Sequence, residues 1–369
     1  KAKRDSTVAR WNLDGGVLLV HYEALRLIDW KSLGPADLVI VDESHRLANG
    51  SRSARSPKFF KALKQIKTKH KLALSGSLII NSPEDFFGAN HWLFPNIYKS
   101  KFTDWCDKYL QYVEGGFGRV LLGVKPDRVN EMRDELGKFI LVRSKQDELP
   151  GLPDRIEQTL RVELLPAQRR VYDDLANNFI ASLPDGKRVT VGSHLAQLTK
   201  LRQVATGLDL LGTEFTDSAK LDLTIELIQD NLPNKTVVFA WHRATVRAIS
   251  ERCAAKGIDC VAIDGDTKMA DRAKLVDRFQ TDPECKVIVA TIKTLGESVT
   301  LHAASDVIFV ESSWTPTDME QAADRVYRIG QTRHVTITHI VSTGTVDETR
   351  VLPRLADKIA MRNMVLGDK

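Results

Sequence analysis

The chain has 369 residues, 43% hydrophobic and 27% charged, with 53 Lys and Arg against 48 Asp and Glu for a formal net charge of +5. Globular domains run to ~100–200 residues, so these values fit two or three folded domains and exclude a disordered chain, a collagen-like chain and a disulfide miniprotein. No run approaches the ~18 apolar residues of a membrane span, and the positive balance leans towards an anionic partner. Residues 1–10 are basic and polar, without the apolar core of a signal peptide and without an initiator Met, as expected of a fragment or a processed product. Cys106, Cys253, Cys260 and Cys285 form no C-x-x-C pair and no zinc spacing, which reads as reduced thiols.

In chain order, short apolar runs predict strands at 17–20, 38–41 and 72–74. From about 90 to 217 the strand pattern fades. Helical patterns take over at 129–139, 166–183 and 194–204, broken by Gly or Pro clusters at 114–118, 149–153 and 183–186. Strands return at 236–240, 260–263, 287–290, 307–310 and 335–341, and 347–366 reads as helix. Short apolar runs alternating with amphipathic helices predict an α/β fold with parallel strands buried on both faces. The expected domains are 1–100, part of a first α/β lobe; 101–217, helical insertions and a linker; and 218–369, a second lobe with a C-terminal bracing helix.

Three segments carry chemistry. The strand at 38–41 runs into Asp42-Glu43-Ser44-His45. Ligands of open α/β sheets bind beyond the carboxyl ends of strands, and two acids there suit a Walker-B role, one holding Mg²⁺ and the other orienting or deprotonating the attacking water. An ordinary strand ending in a polar turn gives the same pattern. The run Leu74-Ser75-Gly76-Ser77 ends another strand in hydroxyls, which can touch phosphate or simply close a turn. After the strand at 307–310 and Trp314-Thr315-Pro316 comes 321–331, QAADRVYRIGQ. On a helix, Gln321, Asp324, Arg325 and Arg328 share one face. Two arginines one turn apart suit the charge that spreads over a transferring phosphoryl group.

Together these segments resemble the Swi/Snf-type branch of the superfamily-two helicase-like ATPases, which translocate on double-stranded DNA. Residues 42–45 resemble the family's motif II, a DEAH-box-like acid pair, and 74–78 its motif III, with Ser77 for Thr and Leu78 for Pro. Residues 139–150 resemble the segment leaving the first lobe, and Leu201-Arg202-Gln203 another stretch of that connection. Residues 237–240, 263–279, 289–301 through Gly296, and 314–331 resemble the second lobe's blocks. The stretches at 299–304 and 326–328 are closer to annealing-helicase and bacterial or phage members.

The resemblance implies two RecA-like lobes with parallel sheets, the first incomplete at its N-terminus. It implies ATP and Mg²⁺ as cofactors, Glu43 as the water-activating base, Asp42 as the Mg²⁺ holder, and Arg325 and Arg328 as arginine fingers reaching across the cleft. Gln321 would contact nucleotide, while His45 and Ser75 would couple its state to lobe closure. DNA contacts would come from His21, Tyr22, Thr291, Lys293, Thr294 and Thr300, each equally open to a plain surface or strand-end role. Trp314 would link DNA to the ATP site or serve as a core residue. The implied partner is double-stranded or branched DNA, bound by a monomer away from membranes, in a bacterial or phage-infected cytoplasm or in a nucleus. The phosphate loop G-x-x-x-x-G-K-[ST] occurs nowhere in the 369 residues, so the isolated chain is expected to hydrolyse little ATP. A non-hydrolysing DNA-binding or interaction module is the alternative expectation.

Overall fold

The structure is a computed structural model and describes residues 2–48, 58–77, 79–96, 102–116, 118–295 and 299–366. The chain divides into two compact units, residues 1–141 with 358–369, and residues 142–357.

In the first unit, β1 (Ala36–Val41) and β2 (Thr68–Ala73) pair in parallel, Val41 opposite Ala73. Trp30, Val41, Leu47, Phe60, Leu63 and Trp92 form the core beneath them. A second core gathers Phe86, Phe87, Trp105, Tyr109 and Met132 beside the antiparallel hairpin of β3 (Leu110–Gly115) and β4 (Gly118–Val124). The helix Asp85–Leu93 joins the two, giving its two phenylalanines to one and Trp92 to the other.

Residues 17–20 do not form the expected strand. They take no regular structure, with Val17 and Leu19 98% and 96% exposed, while Leu18 and Val20 rest on the core. Apolar alternation decides which side chains face inward, but a strand also needs a neighbour to complete its ladder. None pairs with them among the described residues.

The second unit is built on an all-parallel sheet. Its strands are β5 (Arg155–Val162), then, after the small antiparallel pair β6 (Ile180–Ser182) and β7 (Arg188–Thr190), β8 (Thr236–Ala240), β9 (Cys260–Ile263), β10 (Val287–Thr291), β11 (Asp306–Phe309) and β12 (Val335–Ser342). The spatial order is β5-β12-β11-β8-β10-β9. Successive side chains alternate between faces. Val237, Phe239, Ile288, Ala290, Val307 and Phe309 fill one side. Val238, Ala240, Val287, Val289 and Ile308 fill the other, with Leu221, Ile225, Val246 and Ile249 from the helices Ala219–Asn231 and Arg243–Ala255. Each Val, Leu, Ile or Phe among them contributes roughly 1.5–3 kcal/mol on full burial, so a polar substitution in β8 or β10 breaks this core.

The segment from 90 to 217 holds more strand than its pattern suggests, namely β3 to β7. The helix expected over 166–183 is Pro166–Asn178; it stops where Phe179 takes φ 61° and the chain enters β6. The segment 347–366 is one π turn, Asp347–Val351, followed by the helix Leu352–Leu366.

Candidate functional site

In the first unit the site forms where β1 and β2 end. Leu74 N donates to Val41 O at 2.8 Å and Ser44 N to Leu74 O at 2.8 Å, so pairing runs past both strands and holds 42–45 beside 74–77. The carboxylates of Asp42 and Glu43 are exposed beyond the strand end. Glu43 lies in the left-handed region, φ 48° and ψ 49°. That conformation costs a residue with a Cβ roughly 1–2 kcal/mol and persists only where the surroundings hold it.

The surroundings do hold it. Glu43 N donates to Asp42 Oδ1 at 2.9 Å, and Tyr22 Oη donates to Asp42 O at 2.5 Å. His45 Nδ1 lies 3.0 Å from Glu43 Oε2 and 3.3 Å from Ser75 Oγ. Ser75 Oγ donates its own proton to Ser77 O at 2.7 Å, so Nδ1 of His45 carries the proton that both neighbours accept. His45 and Ser75 thus connect the acid pair to the end of β2.

Tyr22 sits at the start of the short helix Tyr22–Leu25, preceded by exposed His21. Its ring meets Phe59 edge-on at 5.1 Å, and the Arg46 guanidinium lies 4.6 Å above it. Arg46 Nη2 also pairs with Glu23 at 2.6 Å. Burial, aided by the charges of Asp42 and Glu43 and opposed by that of Arg46, pushes the Tyr22 phenol up to about 12, so it stays an O–H donor. From the other side, the helix Asp85–Leu93 presses on the turn Ser44–Leu47. A Cβ on Gly88 would lie 1.8 Å from Leu47 O.

Asp42 and Glu43 fit Mg²⁺. No group of three or more His, Cys, Asp or Glu forms a cage among the described residues, and Mg²⁺ is ordinarily held by one or two carboxylates plus substrate phosphates and water.

In the second unit the carboxyl ends of β8, β10 and β11 carry a polar and aromatic cluster. Glu311, just past β11 and 3% exposed, accepts from Trp241 N, His242 N and His242 Nδ1, each at 2.8 Å, and from Thr206 Oγ1 at 2.9 Å. It therefore closes the start of the helix Arg243–Ala255. Burial pushes its carboxyl up, but the hydrogen bonds and charge of His242, with Arg202 beyond, outweigh this and hold it down at about 2. Arg202, also 3% exposed, donates to Ser312 O at 2.5 Å and lies 5.6 Å and 5.2 Å from the ring centres of Trp241 and Trp314.

Lys293 also faces the Trp241 ring, 4.8 Å from its centre. Thr291 and Thr294 bond to each other at 2.5 Å, and Thr300 is half-buried. A cavity of about 490 Å³ opens beside His242, lined by Gln203, Asp209, Arg243, Arg247 and Glu251. Its two arginines are already engaged with Asp264 and Asp266, which disfavours a phosphate there.

The arginine segment departs from the expected helix. The helix is Pro316–Ala323, so Gln321 lies on it while Asp324, Arg325 and Arg328 follow in turns. Tertiary bonds end it. Leu301 N takes the Arg325 carbonyl at 2.7 Å. Lys145 Nζ pairs with Asp324 at 2.6 Å and donates to Tyr327 O at 3.2 Å. Gln331, 5% exposed, donates to Ala304 O at 2.7 Å and accepts from Thr332 N and Arg333 N at 3.0 Å each. Arg325 is half-buried and Arg328 is exposed.

The first unit thus brings together Asp42, Glu43, His45, Ser75 and Tyr22. The second groups Lys293 and Trp314 about Arg202 and Trp241, and sets Arg325 and Arg328 on a braced loop. Leu78 and Gly296 lie outside the described residues. Glu311 was not singled out from the sequence, and Lys145 was read only as part of the 139–150 segment. An acid directly after a buried strand is the signal for Glu311, whereas nothing local marks the partners of Lys145, which lie some 180 residues away.

Residues 7–210 match the SNF2-related domain, and residues 219–330 match the helicase conserved C-terminal domain. DNA annealing helicase and endonuclease ZRANB3 of Bos taurus is 29% identical over 346 residues, 90% of this chain and 30% of that protein. SWI/SNF-related matrix-associated actin-dependent regulator of chromatin subfamily A-like protein 1 of Xenopus tropicalis is 28% identical over 344 residues, 92% of this chain and 34% of that protein. The chain spans about a third of the length of these relatives. The solved Sulfolobus solfataricus SWI2/SNF2 ATPase core in complex with dsDNA aligns at 25% identity and a TM-score of 0.45, covering 94% of this chain and 76% of that one. The SNF2-related match alone takes in more than half of the residues, and the chain belongs to the SNF2-related, Swi/Snf-type family of helicase-like ATPases.

Proposed function

We propose that this chain is the motor core of a DNA-dependent ATPase that couples ATP hydrolysis to translocation on double-stranded or branched DNA. The names of its relatives, one a DNA annealing helicase, favour reannealing of separated strands as the task. The reading rests above all on His45, whose Nδ1 meets both Glu43 and Ser75 where two parallel strands end. That contact gives the acid pair a mechanical link to the next strand, which a plain polar turn does not need.

Glu43 takes a proton from the water that attacks the γ-phosphate, and Asp42 would hold Mg²⁺, which neutralises phosphate charge when bound. His45 and Ser75 report the state of the acids to the rest of their unit. Arg325 and Arg328 stabilise the charge of the transition state, and Gln321 orients nucleotide. Lys293, Thr291, Thr294, Thr300, Trp314 and exposed His21 serve the DNA backbone, because a translocase must grip any sequence. The protein works as a monomer in this scheme.

The test is displacement of a third strand from a DNA triplex by the full-length protein. ATP-dependent displacement is expected, with loss of both displacement and hydrolysis in Arg328→Ala while nucleotide binding is kept. Such fingers are worth ~10³–10⁵ in rate. Hydrolysis stimulated by DNA without any displacement rules out translocation.

A further inference from the structure

We propose that Tyr22 is a positioning residue for hydrolysis, its hydroxyl holding the Asp42–Glu43 peptide in the left-handed turn that aims the two acids. The proposal deepens the assignment of Glu43 as base and rests on it. Family likeness places Tyr22 among the DNA contacts, and the geometry points elsewhere. Its hydroxyl is turned inward and spent on Asp42 O at 2.5 Å, with Glu43 O 3.4 Å away. A tyrosine that served a DNA phosphate would present that hydroxyl outward.

The ring has no freedom to do so. Phe59 packs against its edge and Arg46 covers its face. Arg46 is itself tied to Glu23, the residue after Tyr22, at 2.6 Å. One residue beyond His45 therefore clasps the segment that carries the hydroxyl, and the hydroxyl in turn grips the peptide before Glu43. The two contacts close a loop around the acid pair.

This grip has something to oppose. Glu43 at φ 48° is one of two positive-φ non-glycine residues among those described. Rotation of the 42–43 peptide would relieve the strain and swing both carboxylates away from their aim. The bond from Tyr22 to the carbonyl of that same peptide is placed to resist the rotation, since turning the peptide breaks it. Loss of the hydroxyl leaves the ring packing intact and frees only the peptide, so the effect belongs to the catalytic step and not to folding.

The test uses the full-length protein. In Tyr22→Phe, kcat for DNA-stimulated hydrolysis should fall about tenfold, with KM for ATP, Kd for duplex DNA and Tm unchanged; a fall in kcat alone marks an interaction made in the transition state. Arg46→Gln, which loosens the clasp but keeps the hydroxyl, should show a smaller fall of the same kind. A parental kcat in Tyr22→Phe overturns the proposal. So does a loss confined to DNA affinity, which makes Tyr22 a DNA contact, or a rate that falls only in step with the folded fraction. Glu43→Gln measured alongside separates the two layers. Full activity there removes the base assignment itself, whereas an inactive Glu43→Gln beside a fully active Tyr22→Phe removes only the role given to Tyr22.

Discussion

Two acids in this chain are held in opposite ways. Glu43 is exposed and pays for its position in backbone strain, while Glu311 is buried and held by four hydrogen bonds. A buried carboxylate without partners would be driven to protonate; the bonds and charge of His242 reverse that and hold Glu311 at about 2 against an ordinary 4.5. The folded-state value is depressed, so its stabilisation is fully present above about pH 4.5 and is lost as pH falls towards 2. Glu311→Gln should therefore lower the unfolding free energy at neutral pH by about 1.5–3 kcal/mol for the charged hydrogen bonds removed, read as a lower urea midpoint. Over that acid window its stability should then fall less steeply than that of the parent. Equal acid slopes in the two proteins would show that other carboxylates, such as Glu157 beside His339, set the response.

The helix Asp85–Leu93 and the turn Ser44–Leu47 approach so closely that only a glycine fits between them. Gly88→Ala would put a methyl 1.8 Å from Leu47 O and 2.7 Å from Leu47 C, both backbone atoms that cannot swing aside. Overpacking of this kind costs about 1–3 kcal/mol. It also pushes directly on the residues after Glu43, so denaturant stability and ATP turnover should fall together; a variant with parental values of both would mean that the helix slides away at no cost. Nothing in the sequence around Gly88 announces this approach, because the surface it meets is backbone from 40 residues earlier. The same limit explains what was legible elsewhere. The strands β8, β10 and β11 were readable because burial on both faces leaves an unbroken apolar run. β5, with Arg155, Glu157, Gln158 and Arg161 among its eight residues, was not, because an edge strand keeps its polar side chains. The acid pair and the arginine segment stood out by composition. The end of the helix at Ala323 did not, since the bonds that stop it come from Leu301, Lys145 and Gln331.

Across these 369 residues, 53 basic against 48 acidic side chains leave a net charge too small to bind DNA by bulk attraction alone. Under the proposed function, affinity for DNA would come from local phosphate contacts. For the full-length protein, log K for duplex DNA should therefore fall linearly with log salt, at ~0.9 per phosphate neutralised, with the same slope for unrelated sequences. A slope near zero, or one that changes with sequence, would place recognition in the bases. The sheet of the second unit sets a different constraint, one of time. β5 pairs along its whole length with β12, from Arg155 opposite Val335 to Val162 opposite Ser342, so partners are 180 residues apart. At ~5–20 residues per second on the ribosome, β5 waits roughly 10–35 s between its own emergence and that of the strand it needs. During that interval it is an open edge, the kind of segment that recruits other nascent chains. Its arginines and glutamate, which weakened it as a strand signal, keep it soluble while it waits, so substituting them with valine would make the protein harder to synthesise.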